Sequence, residues 1–465
     1  MTKDLTQGSP MRLVLGFAVP TLFGLLFQQL YNLVDAMIVG KLLGAGALGA
    51  VGATGSINFF VIGFCLGVCS GFAIPVAQQM GAGDYARMRQ YVANAVYLSG
   101  AIALVLTVAT GLFCRDILRA MNTPADLFDG SYAYIFVIFM GIPSIFLYNL
   151  LAGIIRSLGD SKTPVYFLAL SAFLNIALDL LFILGFRSGV GGAAVATVLS
   201  QTVSGVACLV YMVKRFPILR VSREEARFDL GVCRSLLGMG LPMGLQYSIT
   251  AIGSIVMTTA VNGLGSLYVE AVAASGKLFN LLSCPFDAMG AAMATYCGQN
   301  VGARQFGRLG RGVRDCALLG LIYSALAMAA MMVFTRQGVM MFLDPAEPEL
   351  EQLLALSKQY VLTFTAFFFP LALVNILRFS IQGMGFSTLA ILAGVLEMIA
   401  RTVMGRYYVP EFGFTAACFA SPAAWICADL FLIPGCVACI SFLRRREARG
   451  SGSALAGHTQ AVSQG

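Results

Sequence analysis

A chain of 465 residues that is 58% hydrophobic and 11% charged, with a mean hydropathy of +0.82, cannot cover a water-facing surface, for which about a quarter of the residues are ordinarily charged. This composition excludes a soluble globular domain. It leaves the two structures that satisfy every backbone polar group inside a bilayer, helices and closed barrels, and the long continuous apolar runs select helices. The formal net charge of +8 is spread over loops flanking apolar spans, which fits membrane lipid as a partner and argues against nucleic acid.

Twelve spans are predicted, at roughly 12–38, 46–79, 91–113, 129–155, 163–184, 190–214, 232–262, 267–299, 312–335, 353–381, 386–408 and 413–443, about 20 residues being enough to cross hydrocarbon. The expected fold is therefore all-α and integral to the membrane, with two six-helix bundles at 1–214 and 232–443. A basic linker at 215–231 joins them, and a Gly/Ser/Ala/Gln-rich tail at 444–465 is expected to be disordered. Basic residues collect on one side: Arg87, Arg89, Lys162, the linker with Lys214, Arg215, Arg220, Arg223, Arg227 and Arg234, then Arg304, Arg308, Arg311, Arg314 and Arg444 to Arg446. The positive-inside rule puts that side, and both termini, in the cytoplasm of a multi-pass protein of the cytoplasmic membrane. No cleavable signal-peptide pattern opens the chain.

The chain repeats itself about 221 residues on. Pro20 matches Pro242, Gly44 matches Gly265, and Gln78 with Gly81-Ala82 matches Gln299 with Gly302-Ala303. Further along, Asn149 matches Asn375, Gly159 and Ser161 match Gly385 and Ser387, and Gly189 and Ala193 match Gly413 and Ala417. Two fused, similar sets of membrane helices are the usual build of a secondary transporter, and the fused halves predict a monomer. The repeat is also an internal control: a charge present in one half and absent from the other is explained by function better than by fold.

Few charges lie inside spans, where each costs on the order of 3 kcal/mol. Gln28, Tyr31, Asn32 and Asp35 follow i, i+3, i+4, i+7 spacing on span 1, and Ser171, Asn175 and Asp179 share a face of span 5. Thr197 on span 6 reaches a comparable depth. At the repeat offsets Asp35 corresponds to Met257, Asn175 to Arg401 and Asp179 to Gly405, so the fold requires no acid at either place. Two neighbouring carboxylates without a counter-ion either take up a proton or bind a cation. Asp35, Asn175, Asp179 and Thr197 are thus candidates for coupling transport to H⁺ or Na⁺, the bland alternative being hydrogen bonds to neighbouring helices. Gln28, Tyr31 and Asn32, with Gln246 and Met257 of span 7, are candidates for lining a substrate cavity.

In the second half Glu397 and Arg401 stand at i, i+4 and are expected to form a structural ion pair. Lys277, Asp287 and Asp429 have no evident role. Pro20 and Pro242 are expected to kink spans 1 and 7. The twelve cysteines fall nearly all within spans and are expected to be buried as small apolar side chains. Cys436 and Cys439 have no second pair and the one histidine, His458, lies in the tail, so no metal site and no cofactor are expected. No nucleophile–base pair suggests an enzyme.

Val34-Asp35 with Val39-Gly40, Ala77-Gln78 with Gly81-Ala82-Gly83-Asp84, Arg156 with Gly159-Asp160-Ser161-Lys162-Thr163-Pro164, Asn175 and Asp179, Gly191-Gly192-Ala193-Ala194 with Ala196-Thr197, and Gly298-Gln299-Asn300 with Gly302-Ala303 together resemble the multidrug and toxic compound extrusion (MATE) family, from about Pro10 to Phe442. The resemblance implies two bundles in a V around a cavity that alternates between sides, and export of organic cations and drugs driven by H⁺ or Na⁺. In the DinF-like branch the coupling site uses an Asp of span 1, an Asn and an Asp of span 5 and a Thr of span 6, matched here by Asp35, Asn175, Asp179 and Thr197. Spans 7 and 10 lack the carboxylates that NorM-like members place there. A distant relative of similar build, a flippase of lipid-linked precursors, would call for a basic cavity to hold pyrophosphate, and the unpaired acids of the first half argue against it; a metabolite exporter of related fold is a further alternative.

Overall fold

The computed structural model describes residues 4–121, 123–343 and 349–462, among which no strand occurs. The first half contains α1 (Pro10–Leu43), α2 (Ala45–Ala53), α3 (Gly55–Ala82), α4 (Tyr85–Leu112), α5 (Cys114–Ala120), α6 (Ala125–Met140), α7 (Ile142–Ser157), α8 (Lys162–Leu180) and α9 (Gly189–Arg215). The second contains α10 (Leu230–Asn262), α11 (Ser266–Gly302), α12 (Phe306–Met340), α13 (Leu350–Ala366), α14 (Phe368–Gly383), α15 (Ser387–Val403) and α16 (Val409–Val462). Helix starts follow local chemistry: Pro10 occupies the first turn of α1, and Asp84 and Asp229 accept backbone N–H groups at the starts of α4 and α10.

Eight helical stretches are long and apolar enough to span a bilayer, or ten when two bent pairs each count as one. The stretch Ser387–Glu447 passes through Gly413, whose backbone is non-helical (φ 63°, ψ −142°), so it makes two crossings. The remaining span is α11, 37 residues long and carrying Glu270, Lys277 and Asp287. The result is twelve membrane helices in two six-helix bundles. Large apolar side chains such as Leu104, Phe173 and Leu430 stay more than 60% exposed on the outside, as a lipid-facing surface requires.

The repeat is conformational as well as sequential. Span 4 breaks by 47° between α6 and α7, and span 10 by 49° between α13 and α14, at Gly141 and Phe367, 226 residues apart. A π-turn follows span 5 at Leu181–Gly185 and span 11 at Met404–Tyr408. Gly159 and Gly385 close the tight turns before α8 and α15 at φ 82° and 101°, a region that residues with a Cβ rarely enter. Pro20 and Pro242 both lie inside helices that run on without interruption, and the breaks of more than 40° fall in spans 4 and 10.

The predicted division into 1–214 and 232–443 is crossed in both directions. Leu13, Val14, Phe17 and Ala18, at the start of α1, belong to the apolar core of the second half. Val232 and Leu236, at the start of α10, belong to the core of the first. Each half lends the opening turns of its first helix to the other, because those turns carry large apolar residues that only the opposite bundle can bury. Of the cysteines of the last span, Cys436 and Cys439 are buried in the second core, whereas Cys427 is exposed.

Beyond the spans, Arg89 grips the linker, giving two hydrogen bonds to Glu225 at 2.8 and 2.6 Å and one to the Ile218 carbonyl at 3.3 Å. The Arg89 guanidinium and the Ser222 N–H hold the Glu225 carboxyl down at about 2, against an ordinary 4.5. A carboxylate held low in the folded state stabilises above its unfolded pKa and loses that contribution as pH falls through the folded value. Protease cleavage within 215–229 is therefore expected to rise between pH 4.5 and 2, and to rise already at pH 7 in Glu225→Gln. Cleavage insensitive to both would show that the pair does not pin the linker. At the far end, α16 runs as helix to Val462 in place of the disorder expected over 444–465, since extending a formed helix needs no new nucleus; residues 463–465 lie outside the described residues.

Candidate functional site

Two polar sites stand apart from each other. The first lies within the first half, where α1, α8 and α9 meet. Asp179 and Asn175, one turn apart on α8, are 0% and 1% exposed. Asp35 of α1 lies close enough to Asp179 for the two carboxyls to share a proton. Asn175 Nδ2 donates to Thr197 Oγ1 at 3.3 Å, and Thr197 Oγ1 donates to the Ala193 carbonyl at 3.1 Å. Asp35 Oδ1, both Asp179 oxygens and Asn175 Oδ1 have no hydrogen-bond donor among the described residues. Neither acid forms an ion pair there.

Buried acceptors are almost always paired, and two adjacent carboxylates with no cation leave an uncompensated charge. A proton between the acids, or a cation held by their oxygens, the Asn175 amide oxygen and the Thr197 hydroxyl, would complete this cluster. Tyr31 and Tyr134 flank the acids. Tyr134, on α6, gave no signal in the sequence, since a lone tyrosine on an apolar helix reads as core. The π-turn directly after Asp179 is a distortion common at functional sites.

The second site is a cavity of 1010 Å³ between the halves. Gln28, Gln246 and Met257 line it, whereas Tyr31, Asn32, Asp35 and Asp179 do not. Tyr31 turns to the acids and Asn32 is exposed, a correction to the sequence expectation for both. The cause is helical geometry: successive residues point about 100° apart, so a stripe of i, i+3, i+4, i+7 is wide enough for its two edges to face different neighbours. The acid cluster and the cavity thus border one helix at different levels, with Asp35 and Asp179 outside the cavity wall.

Glu397 does more than pair with Arg401. It bridges Arg401, at 3.4 Å, and Arg378 of α14, and all three are buried cavity-wall residues. Arg378 Nε and Arg401 Nη1 have no acceptor among the described residues; Glu397 is the acid that ion-pairs with both, and Asp287 and Asp429 also stand near Arg378. Removing one partner of a buried ion pair costs roughly 3–5 kcal/mol because the other charge is left behind. Glu397→Gln is accordingly expected to lower the unfolding temperature sharply in detergent, and an unchanged melting curve would show the bridge carries no stability. Arg156, at the end of α7, also lines the cavity. In the sequence Arg156 carries a resemblance but no role, and both it and Arg378 fall at the edges of the predicted spans 129–155 and 353–381. The bent helices instead run on to Ser157 and Gly383 and carry both arginines inward.

At the end that bears the N-terminus the halves close over the cavity. Gln299 donates to the Ser157 carbonyl at 2.8 Å and accepts from the Leu5 N–H at 2.9 Å. Gln78 of the first half donates to the Gly383 carbonyl of the second at 3.1 Å; beside this contact, and within the second half, Gln382 donates to Gln246 at 2.7 Å.

The MatE family model matches residues 20–181 and again 242–405, once for each half of the repeat. The chain is 31% identical over 418 residues to "Probable multidrug resistance protein YpnP" of Bacillus subtilis, covering 89% of each. It is 22% identical over 408 residues to a "FAD transporter" of Shewanella oneidensis, covering 85% of this chain and 88% of that one. A crystal structure of MATE in complex with MaL6 superimposes with a TM-score of 0.87 at 22% identity, over 96% of this chain and 100% of the other. With the family model matched in both halves and the twelve-helix architecture shared, the chain belongs to the MATE family of multidrug efflux transporters.

Proposed function

We propose that this protein exports small organic molecules by alternating access, driven by H⁺ or Na⁺ entering at Asp35, Asn175, Asp179 and Thr197. The observation that carries this reading is the set of buried acid and amide oxygens without donors, on the same α1 helix that sends Gln28 into the cavity wall. An ion bound at one level of α1 changes the preferred packing of a helix that also borders the cargo, which is the differential affinity that coupling requires. The relative named for multidrug resistance supports export of drugs. With the basic loops in the cytoplasm, the closed end faces inward, the cavity opens outward and the ion enters from outside.

The test is transport of fluorescent dyes by reconstituted proteoliposomes under an imposed pH gradient or an imposed Na⁺ gradient, applied separately. Transport that follows one gradient and ignores the other supports the reading and names the ion; transport indifferent to both sinks it. A second reading, a metabolite exporter, is favoured by the basic character of the cavity wall and by the relative named as a FAD transporter.

A further inference from the structure

Six charged side chains line the cavity: Arg156, Lys277, Arg378 and Arg401 against Asp287 and Glu397. Glu397 is committed to Arg378 and Arg401. Asp287 is one carboxylate against the two cations that remain, and the groups recorded beside it are Tyr247, Cys284 and Arg378. Arg156 lies beside Tyr148, Tyr247, Cys69 and Cys208 and forms no ion pair among the described residues. Lys277 forms no ion pair among the described residues and meets the Phe342 ring at 5.9 Å. The acids that would favour cationic cargo, Asp35 and Asp179, lie outside the wall.

The internal repeat sharpens this. Arg156 corresponds to Gln382, Arg378 to Ala152 and Lys277 to Ser56. The fold is built at each equivalent place without a cation, and Arg156 and Lys277, unlike Arg378 with its bridge to Glu397, form no ion pair among the described residues, so these two charges are not scaffolding. The second half, which holds Lys277 and Arg378, also supplies a flat apolar wall. Phe279 stacks on Trp425, 6.0 Å between centroids and 9° from parallel, and Phe364 stands edge-on to Phe279 at 5.2 Å. Phe279, Phe364 and Trp425 all border the cavity.

We propose that this cavity takes amphiphilic organic anions: a carboxylate or phosphate held by Arg156, and an aromatic or apolar body laid against Phe279 and Trp425. A guanidinium without an ion pair offers a planar fork of donors matched to either anion. A desolvated cation without its anion is costly, so the anionic cargo supplies what the protein withholds. The proposal rests on the export reading for its physiological meaning but not for its test, because binding is measured without transport.

Trp425 is the only tryptophan and lies in the wall, so its fluorescence reports occupancy. The purified protein in detergent is titrated with carboxyfluorescein and with a rhodamine ester, which share a xanthene ring system and differ in charge. Trp425 quenching and dye anisotropy are followed together. Carboxyfluorescein is expected to bind at least about tenfold more tightly, and Arg156→Gln, which installs the residue found at the equivalent place in the second half, is expected to remove at least that tenfold, with Arg156→Lys restoring part of it. If Arg156→Gln does not fold, Lys277→Met carries the same test. Tighter binding of the rhodamine ester, or anion affinity untouched by these variants, overturns the proposal.

Displacement by flavin mononucleotide supports a soluble anionic cargo, displacement by farnesyl diphosphate supports an isoprenoid-linked one, and displacement by neither overturns it. An anion that binds in this way yet moves under no gradient leaves the anion site standing and removes ion-coupled export.

Discussion

Asp179→Asn is expected to abolish gradient-driven transport while dye binding in the cavity survives. The side chain is fully buried, its two oxygens receive no donor, and Asp35 stands beside it. An amide of the same shape fills the space and keeps hydrogen-bonding capacity, but it neither takes up a proton nor neutralises a bound cation. Driving a two-state equilibrium from one side to the other takes about 5.5 kcal/mol of differential binding, and under the proposed coupling the ion would supply that difference only while both carboxylates are present. Asp35→Asn is expected to give the same loss, and the double variant no more than either single one, because the two acids act as one site.

Stability moves the other way. Replacing one of two unpaired neighbouring carboxylates with a neutral group relieves repulsion, so the melting temperature is expected to hold or rise. Ion-driven flux is measured beside binding by Trp425 quenching. Undiminished flux in both variants would leave the acids as helix-to-helix hydrogen bonds and nothing more. Thr197→Ala separates the ions: it removes an oxygen ligand that Na⁺ needs and a shared proton does not.

That cluster was legible before any coordinates because two independent signals met at the same residues. Acids in apolar spans are costly, and the repeat showed that the fold does not ask for them. Helical spacing placed Asn175 and Asp179 together, and their meeting with Asp35 and Thr197 is a packing fact the spacing could only suggest. The same logic failed for Arg156 and Arg378, although the repeat contained their answer in Gln382 and Ala152. Arginine near a span end reads as a water-facing residue, and only the bends at Gly141 and Phe367 reveal that these span ends turn inward. The exchange of opening turns between α1 and α10 was not legible at all. An apolar turn records that it is buried, not which bundle buries it.

The second large effect comes from the closed end. Gly81 and Gly302 are repeat partners, as are Gln78 and Gln299, and they meet crosswise: a Cβ on Gly81 would overlap the backbone carbonyl of Gln299, and a Cβ on Gly302 that of Gln78. Gly67 and Gly71 of α3 stand equally close to the backbone of α10 at Met243, Gly244, Met239 and Gly240. The obstacles are backbone atoms, so no rotamer change admits even a methyl group, and the halves have to separate. Gly81→Ala and Gly302→Ala are expected to hold this end open and to lower the maximal transport rate at least about tenfold, from an overpacking cost of roughly 1–3 kcal/mol against the closed state alone. Each bundle keeps its own core, so folding survives.

The readout that separates a gating defect from a general one is Ser157→Cys. Ser157 is 2% exposed and its carbonyl takes the Gln299 hydrogen bond. Maleimide labelling at that position, resolved by peptide mass from the background of the exposed Cys427, is expected to be slow in the parent and fast once Gly81 carries a methyl group. Wild-type transport in both glycine variants would mean that the closed end is not a state the cycle visits. Slow labelling combined with lost transport would place the damage in folding instead. Because the contact is crosswise, the two alanines strike the same closure from opposite halves, and either one alone is expected to produce nearly the whole effect.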